Sequence, residues 1–236
     1  MDAIIAVRMK RNNMRLMAQS FAIVKKEVKG EFRTRYALSS LLLFIVITIS
    51  TIAFTIADEK LSNELAAALL WIAFFFGAMT GLSRTFVAEE ERGPSLLLKL
   101  STIPTSVYLG KLHYTILLSL LLNCAGSILF MIFIPGKIIG NPLLFWISVF
   151  TLSICMASVI TSIAAIIAKA HSKGALFPVL SFPLLLPPAL LGSEVLSMSF
   201  YGAELSQAFS PITVLISYAG VMIAVSTMLF DFIWND

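Results

Sequence analysis

The chain has 236 residues, of which 58% are hydrophobic and only 13% charged, with a formal net charge of +4. Soluble domains carry roughly a quarter charged residues, so this composition excludes an ordinary soluble globule. The basic excess does not point to nucleic acid, because it is arranged around six stretches free of Lys, Arg, Asp and Glu (36–57, 65–83, 112–136, 138–168, 174–193 and 205–230) that fill more than half of the chain, each close to the ~20 apolar residues that cross a hydrocarbon core.

Residues 1–19 carry Arg8, Lys10, Arg11 and Arg15 and no apolar run long enough for a signal-peptide core. They read as a basic cytoplasmic tail, with Met14 and Met17 as further candidate starts. From residue 20 the pattern changes: Phe21, Val24, Val28 and Phe32 recur at helical offsets, while Lys25, Lys26, Lys29 and Arg33 take the other faces. This predicts an amphipathic helix over 20–36 lying in the membrane interface, with a solvated basic helix as the alternative. Glu31 and Arg35 stand four residues apart in it, and Gly30 weakens it.

Six membrane spans are then predicted, at about 37–57, 65–83, 112–136, 142–168, 174–193 and 205–230. They make residues 20–236 a single all-α integral membrane domain. Span two ends in Gly77-Ala-Met-Thr-Gly81, a GxxxG that suits close helix packing. The inner segment 84–111 is too charged to enter lipid. Glu89, Glu90, Glu91 and Arg92 lead to a Gly93-Pro94 break, Leu96, Leu97, Leu98 and Leu100 surround Lys99, and Pro104 closes the segment. A leucine-rich turn between two prolines makes a knob for a groove on a partner protein, or else an interfacial loop helix without one. Span four concentrates small residues in its second half, including Ala157, Ser158, Thr161, Ser162, Ala164 and Ala165, as tight packing requires. Span five contains Pro178, Pro183, Pro187 and Pro188, which predicts a kinked or broken helix and a moving or substrate-adjacent element. Beyond it, 194–204 is expected as an outer segment, and Trp234 near the end of the chain as an interfacial anchor.

Fifteen of the seventeen Lys/Arg fall on one side of this arrangement, Lys60 and Lys137 being the exceptions. The positive-inside bias therefore puts both termini and 84–111 in the cytoplasm of a multi-pass cell-membrane protein. Cys124 and Cys155 read as apolar core residues with no metal role, and His113 and His171 as surface or interface histidines. The predicted span interiors hold no Asp, Glu, Lys or Arg, which disfavours ion-coupled transport. No GxxxxGK[ST] loop and no paired-carboxylate or nucleophile motif occurs, so the chain is expected to be non-catalytic, with no metal and no assignable cofactor site.

Several pieces recur in a specific order. Lys26-Glu27-Val-Lys-Gly-Glu31-Phe32-Arg33-Thr-Arg35 runs into Ser39-Ser40-Leu-Leu-Leu-Phe44; Leu70-Trp71-Ile-Ala-Phe74 leads to Gly81-Leu-Ser-Arg84-Thr-Phe86. Glu89-Glu-Glu91-Arg92-Gly93 is followed by Tyr108-Leu-Gly110-Lys111-Leu, then the proline-rich Phe177 to Pro188 run and Leu229-Phe-Asp231-Phe-Ile-Trp234. In this order the chain resembles the CcmB family, the haem exporter protein B membrane subunit of the cytochrome c maturation ABC transporter, from about residue 20 to the C-terminus. One departure lies after Gly93, where the family has an acidic residue and Gly before its leucines and a short loop with Pro and Asp. Here the run is Pro94-Ser-Leu-Leu-Leu-Lys99-Leu-Ser-Thr-Ile-Pro104, which alters the surface offered to an ATPase. The resemblance implies an ABC-2-like half-transporter whose 84–104 segment is the coupling helix. It also implies two copies of a separate ATPase subunit that binds the ATP, a homodimer or heterodimer in the bilayer, and a second haem-handling membrane subunit. A haem chaperone would be a further partner, with haem as the transported substrate. A permease for a lipid, drug or glycan, and a scaffold for haem-handling proteins, are the alternatives.

Overall fold

The computed structural model of the chain describes residues 16–31, 36–56, 61–81, 102–134, 139–167 and 173–235. Seven helices make up these residues: α1 (16–31), α2 (Tyr36–Thr55), α3 (Asn63–Gly81), α4 (Pro104–Phe133), α5 (Pro142–Ile167), α6 (Lys173–Tyr201) and α7 (Leu205–Asn235). No strand occurs among the described residues. Helices α2, α4, α5, α6 and α7 are long and apolar enough to cross a membrane, whereas α3 contributes the shorter apolar run Asn63–Met79.

The chain organises itself around α5. Of its membrane-length window 72% is buried, against 17% for α2 and for α7, because Ala157, Ser158, Thr161, Ser162, Ala164 and Ala165 let neighbouring backbones approach from every side. Helices α4, α6 and α7 pack directly on it, α2 lies against α3 and α4, and α3 against α6. The GxxxG glycine Gly77 faces α2: a Cβ there would stand 3.5 Å from Ile45. Outward-facing Phe54, Phe182, Phe209 and Met228 present the apolar perimeter that lipid requires.

Local chemistry sets the helix ends, and two of them differ from expectation. Helix α4 starts at Pro104, eight residues ahead of the expected span, because Ile103 is extended (φ −77°, ψ 134°) and proline is pre-shaped for the first helical turn. Helix α6 continues through Pro183, Pro187 and Pro188 to Tyr201, which reduces the expected outer segment 194–204 to a turn at 202–204. That turn is a Schellman closure. Ala203 N–H donates to Met198 O (3.0 Å) and Gly202 N–H to Ser199 O (3.3 Å), with Gly202 at φ +78°. Asn141 completes it by accepting from Leu144 N–H (3.1 Å) as the cap of α5 and donating Nδ2–H to Ala203 O (2.8 Å). The approach is tight, since a Cβ on Gly140 would lie 2.5 Å from Gly202 N.

These ends overturn one expectation. With α4 starting at Pro104, Lys111 lies inside an apolar helix of membrane length, and Glu194 lies within α6. The span interiors are therefore not empty of charge. Glu194 is exposed, whereas Lys111 is buried.

Candidate functional site

A buried lysine in an apolar helix demands a partner, because an uncompensated charge in a low-dielectric interior costs several kcal/mol. The partner comes from α1. Lys111 Nζ lies 3.6 Å from Glu27 Oε1, with the lysine side chain 1% exposed and the glutamate 19%; Lys26 Nζ approaches the same oxygen at 3.7 Å. One turn away along α1, Ile23 sits against Gly110 so closely that a Cβ on the glycine would be 2.8 Å from Ile23 Cβ and 3.0 Å from Ser20 O. Gln19 Oε1 accepts from Ser106 Oγ (3.0 Å) and from Ile103 N–H (3.4 Å) at the first turn of α4. At the other end, Glu31 Oε1 accepts from Leu38 N–H (2.7 Å) in the first turn of α2.

Gln19, Ile23, Glu27 and Glu31 recur every four residues, so one winding stripe of α1 carries all these contacts. Val24 and Val28 border the seated stripe and are half-buried, but Phe21 points away from the bundle. Ile23 is preferred inward because Gly110 leaves a notch that matches it. The seat thus joins α1 to the start of α4 and to the start of α2.

Inside the bundle a second polar feature links three helices. Tyr108 OH and Ser162 Oγ are 3.2 Å apart, Ser226 Oγ donates to Ser162 Oγ, and Asn123 Nδ2 donates to Ser153 Oγ at 2.9 Å. Hydroxyl contacts of this kind fasten α4, α5 and α7 and carry no titrating chemistry at neutral pH. Between α6 and α7, Tyr218 OH donates to Leu184 O at 2.7 Å. Leu184 precedes Pro188 by four residues, so proline has removed the N–H that this carbonyl would otherwise accept, and the tyrosine replaces it. At the opposite end from the seat, Tyr201 OH donates to Glu64 Oε1 and ties α6 to α3.

Of the residues singled out from the sequence, Lys26, Glu27 and Glu31 meet at the α1 seat. Phe32, Arg33, Arg35 and the whole coupling run of Glu89, Glu90, Glu91, Arg92, Gly93, Leu96, Leu97, Leu98 and Leu100 lie outside the described residues, as does His171. Pro178, Pro183, Pro187 and Pro188 all fall in α6. Cys155 is buried and Cys124 half-buried, both as free thiols. His113 is exposed, its Nδ1 2.6 Å from Leu109 O. Among the described residues no cluster of three His, Cys, Asp or Glu side chains could hold a metal. Gln19, Ser106 and Tyr218 were not foreseen, and no short-range spacing connects residues 34 to 87 positions apart.

Five membrane-length apolar helices, the most buried of them α5, with a basic helix seated at one end, define a multi-pass helical membrane protein. The family model described as CcmB protein matches residues 18–232, so the chain belongs to the CcmB family. Membership makes it a membrane permease component of haem export in cytochrome c maturation, and not an enzyme. No curated protein matches the chain.

Proposed function

We propose that this chain is the ABC-2-like permease subunit through which a separate ATPase drives export of haem, or release of a haem-loaded chaperone, during cytochrome c maturation. Family membership over residues 18–232 carries the reading. In this account α3 is the sixth span, since its 19 residues extend about 28 Å at 1.5 Å per residue, close to the hydrocarbon thickness. Helix α1 lies in the cytoplasmic interface, both termini are cytoplasmic, and residues 20–236 form one permease domain behind the basic tail. Two permease subunits, as a homodimer or with a related subunit, engage two ATPases.

Residues 89–100 are the coupling segment in this proposal, with Leu96, Leu97, Leu98 and Leu100 docking in the ATPase. The segment leads directly into Ile103 and Pro104, where Gln19 holds the start of α4. Its displacement on ATP binding would move α1 and the start of α4 together, and the proline-bearing α6, kinked in this account, would rock against α5. Coexpression with the neighbouring ATPase tests the coupling. Leu97→Asp with Leu98→Asp is expected to abolish copurification while leaving membrane insertion intact; undiminished copurification would remove the segment from this role.

A further inference from the structure

The stripe of α1 opposite the seat consists of Met17, Phe21, Lys25 and Lys29, again at intervals of four. All four face away from the bundle, Met17 being 76% and Phe21 71% exposed. Two bulky apolar side chains followed along one line by two ammonium groups are an unusual surface to leave in water. We infer that this stripe is a binding surface for anionic phospholipid of the cytoplasmic leaflet, with Met17 and Phe21 entering the acyl boundary and Lys25 and Lys29 meeting headgroup phosphates.

Three observations place lipid there. Glu31, one turn beyond Val28, accepts from Leu38 N–H, so the C-terminal end of α1 is fixed to the first turn of a membrane-length helix. Gln19, at the other end, is fixed to the first turn of α4, also of membrane length. Both ends of α1 are thus anchored where apolar helices begin, which in the proposed topology sets the stripe along the headgroup region. The third observation is chemical. Lys25 and Lys29 are exposed beside the apolar pair, and a lysine stem lies along apolar surface while its head reaches phosphate. The acidic residues of α1, Glu27 and Glu31, are turned to the opposite side by the seat, so the outward stripe is left purely cationic and apolar.

The inference rests on the proposed interfacial position of α1 and adds the lipid class. It can be tested on the full chain in nanodiscs, with Cys124→Ala and Cys155→Ala and an environment-sensitive fluorophore on Met17→Cys. In discs of phosphatidylcholine containing one third phosphatidylglycerol the label is expected to be blue-shifted and protected from a water-soluble quencher. Lys25→Gln with Lys29→Gln should lower the protected-to-unprotected ratio about fivefold per lysine removed, as should high salt, because each cation near an anionic leaflet contributes a comparable attraction. Hydrogen-exchange protection of the Ile23–Glu27 seat should not change in that variant, which separates lipid binding from misfolding. Equal protection in pure phosphatidylcholine would overturn the anionic selectivity while leaving α1 in the interface. A label exposed in both discs would overturn the interfacial position as well. Protection gained only on adding the ATPase would mark the stripe as a protein-binding face and refute the inference.

Discussion

Glu27→Gln is expected to loosen α1 from the bundle more than any other single change in that helix. It removes the carboxylate 3.6 Å from Lys111 Nζ and leaves the ammonium of a side chain that is 1% exposed. Breaking a buried pair from one side costs about 3–5 kcal/mol, and the 19% exposure of Glu27 together with the further contacts of Lys111 argues for the lower end, about 3 kcal/mol. If α1 opens locally, its amides should exchange about a hundredfold faster. Lys111→Met leaves Glu27 with Lys26 at 3.7 Å and some solvent, so the expected loss is only about 1 kcal/mol. Removing both charges, with Glu27→Met and Lys111→Met, should return stability to within about 1 kcal/mol of the native chain. Hydrogen exchange followed by mass spectrometry, reading peptides from 19–31 against α5 peptides as an internal control, measures all three. The reasoning fails if Glu27→Gln leaves α1 protected, or if Lys111→Met is the more damaging single change.

Three further outcomes follow from the packing. Gly110→Ala should destabilise the α1 seat by about 1–3 kcal/mol through overpacking, and Ile23→Ala should not relieve it, because the nearest atom is Ile23 Cβ itself; the same exchange assay reads both. Tyr218→Phe leaves Leu184 O, opposite Pro188, without its hydroxyl donor, and should lower thermal stability by about 1–3 kcal/mol, with faster exchange concentrated in α6. Asn141→Ala loses the α5 cap and the bond to Ala203 O; about 1–2 kcal/mol should be lost in a thermal unfolding series, and Asn141→Asp should recover only the capping share.

The helices were legible in the sequence because lipid imposes a length on every charge-free run. Their ends were less so. Lys111 looked like the boundary of a span because charge marks boundaries in lipid, yet its partner Glu27 lies 84 positions away and allows α4 to continue past it. The end of α6 was misplaced by Glu194 in the same way, whereas the actual stop is Gly202 at positive φ, fixed by contact with Gly140 and Asn141. Periodicity predicted a helix over 20–36, and 16–31 are helical, but it did not say which face meets the bundle, since Phe21 and Ile23 lie on opposite faces and only the notch at Gly110 chooses between them. The four prolines predicted a kinked or broken helix; the segment instead runs as one helix from Lys173 to Tyr201, and the tyrosine that replaces the N–H lost to Pro188 comes from another helix. Motif order gave the family correctly, because it does not depend on any of these tertiary contacts.

The most direct test of the central claim is covalent haem attachment in cells that lack this chain. Haem-peroxidase staining of membrane proteins should show c-type cytochromes lost on deletion of its gene and restored by the native chain, but not by the Leu97→Asp, Leu98→Asp variant. Undiminished holocytochrome c in the deletion strain would contradict a role in haem export for cytochrome maturation.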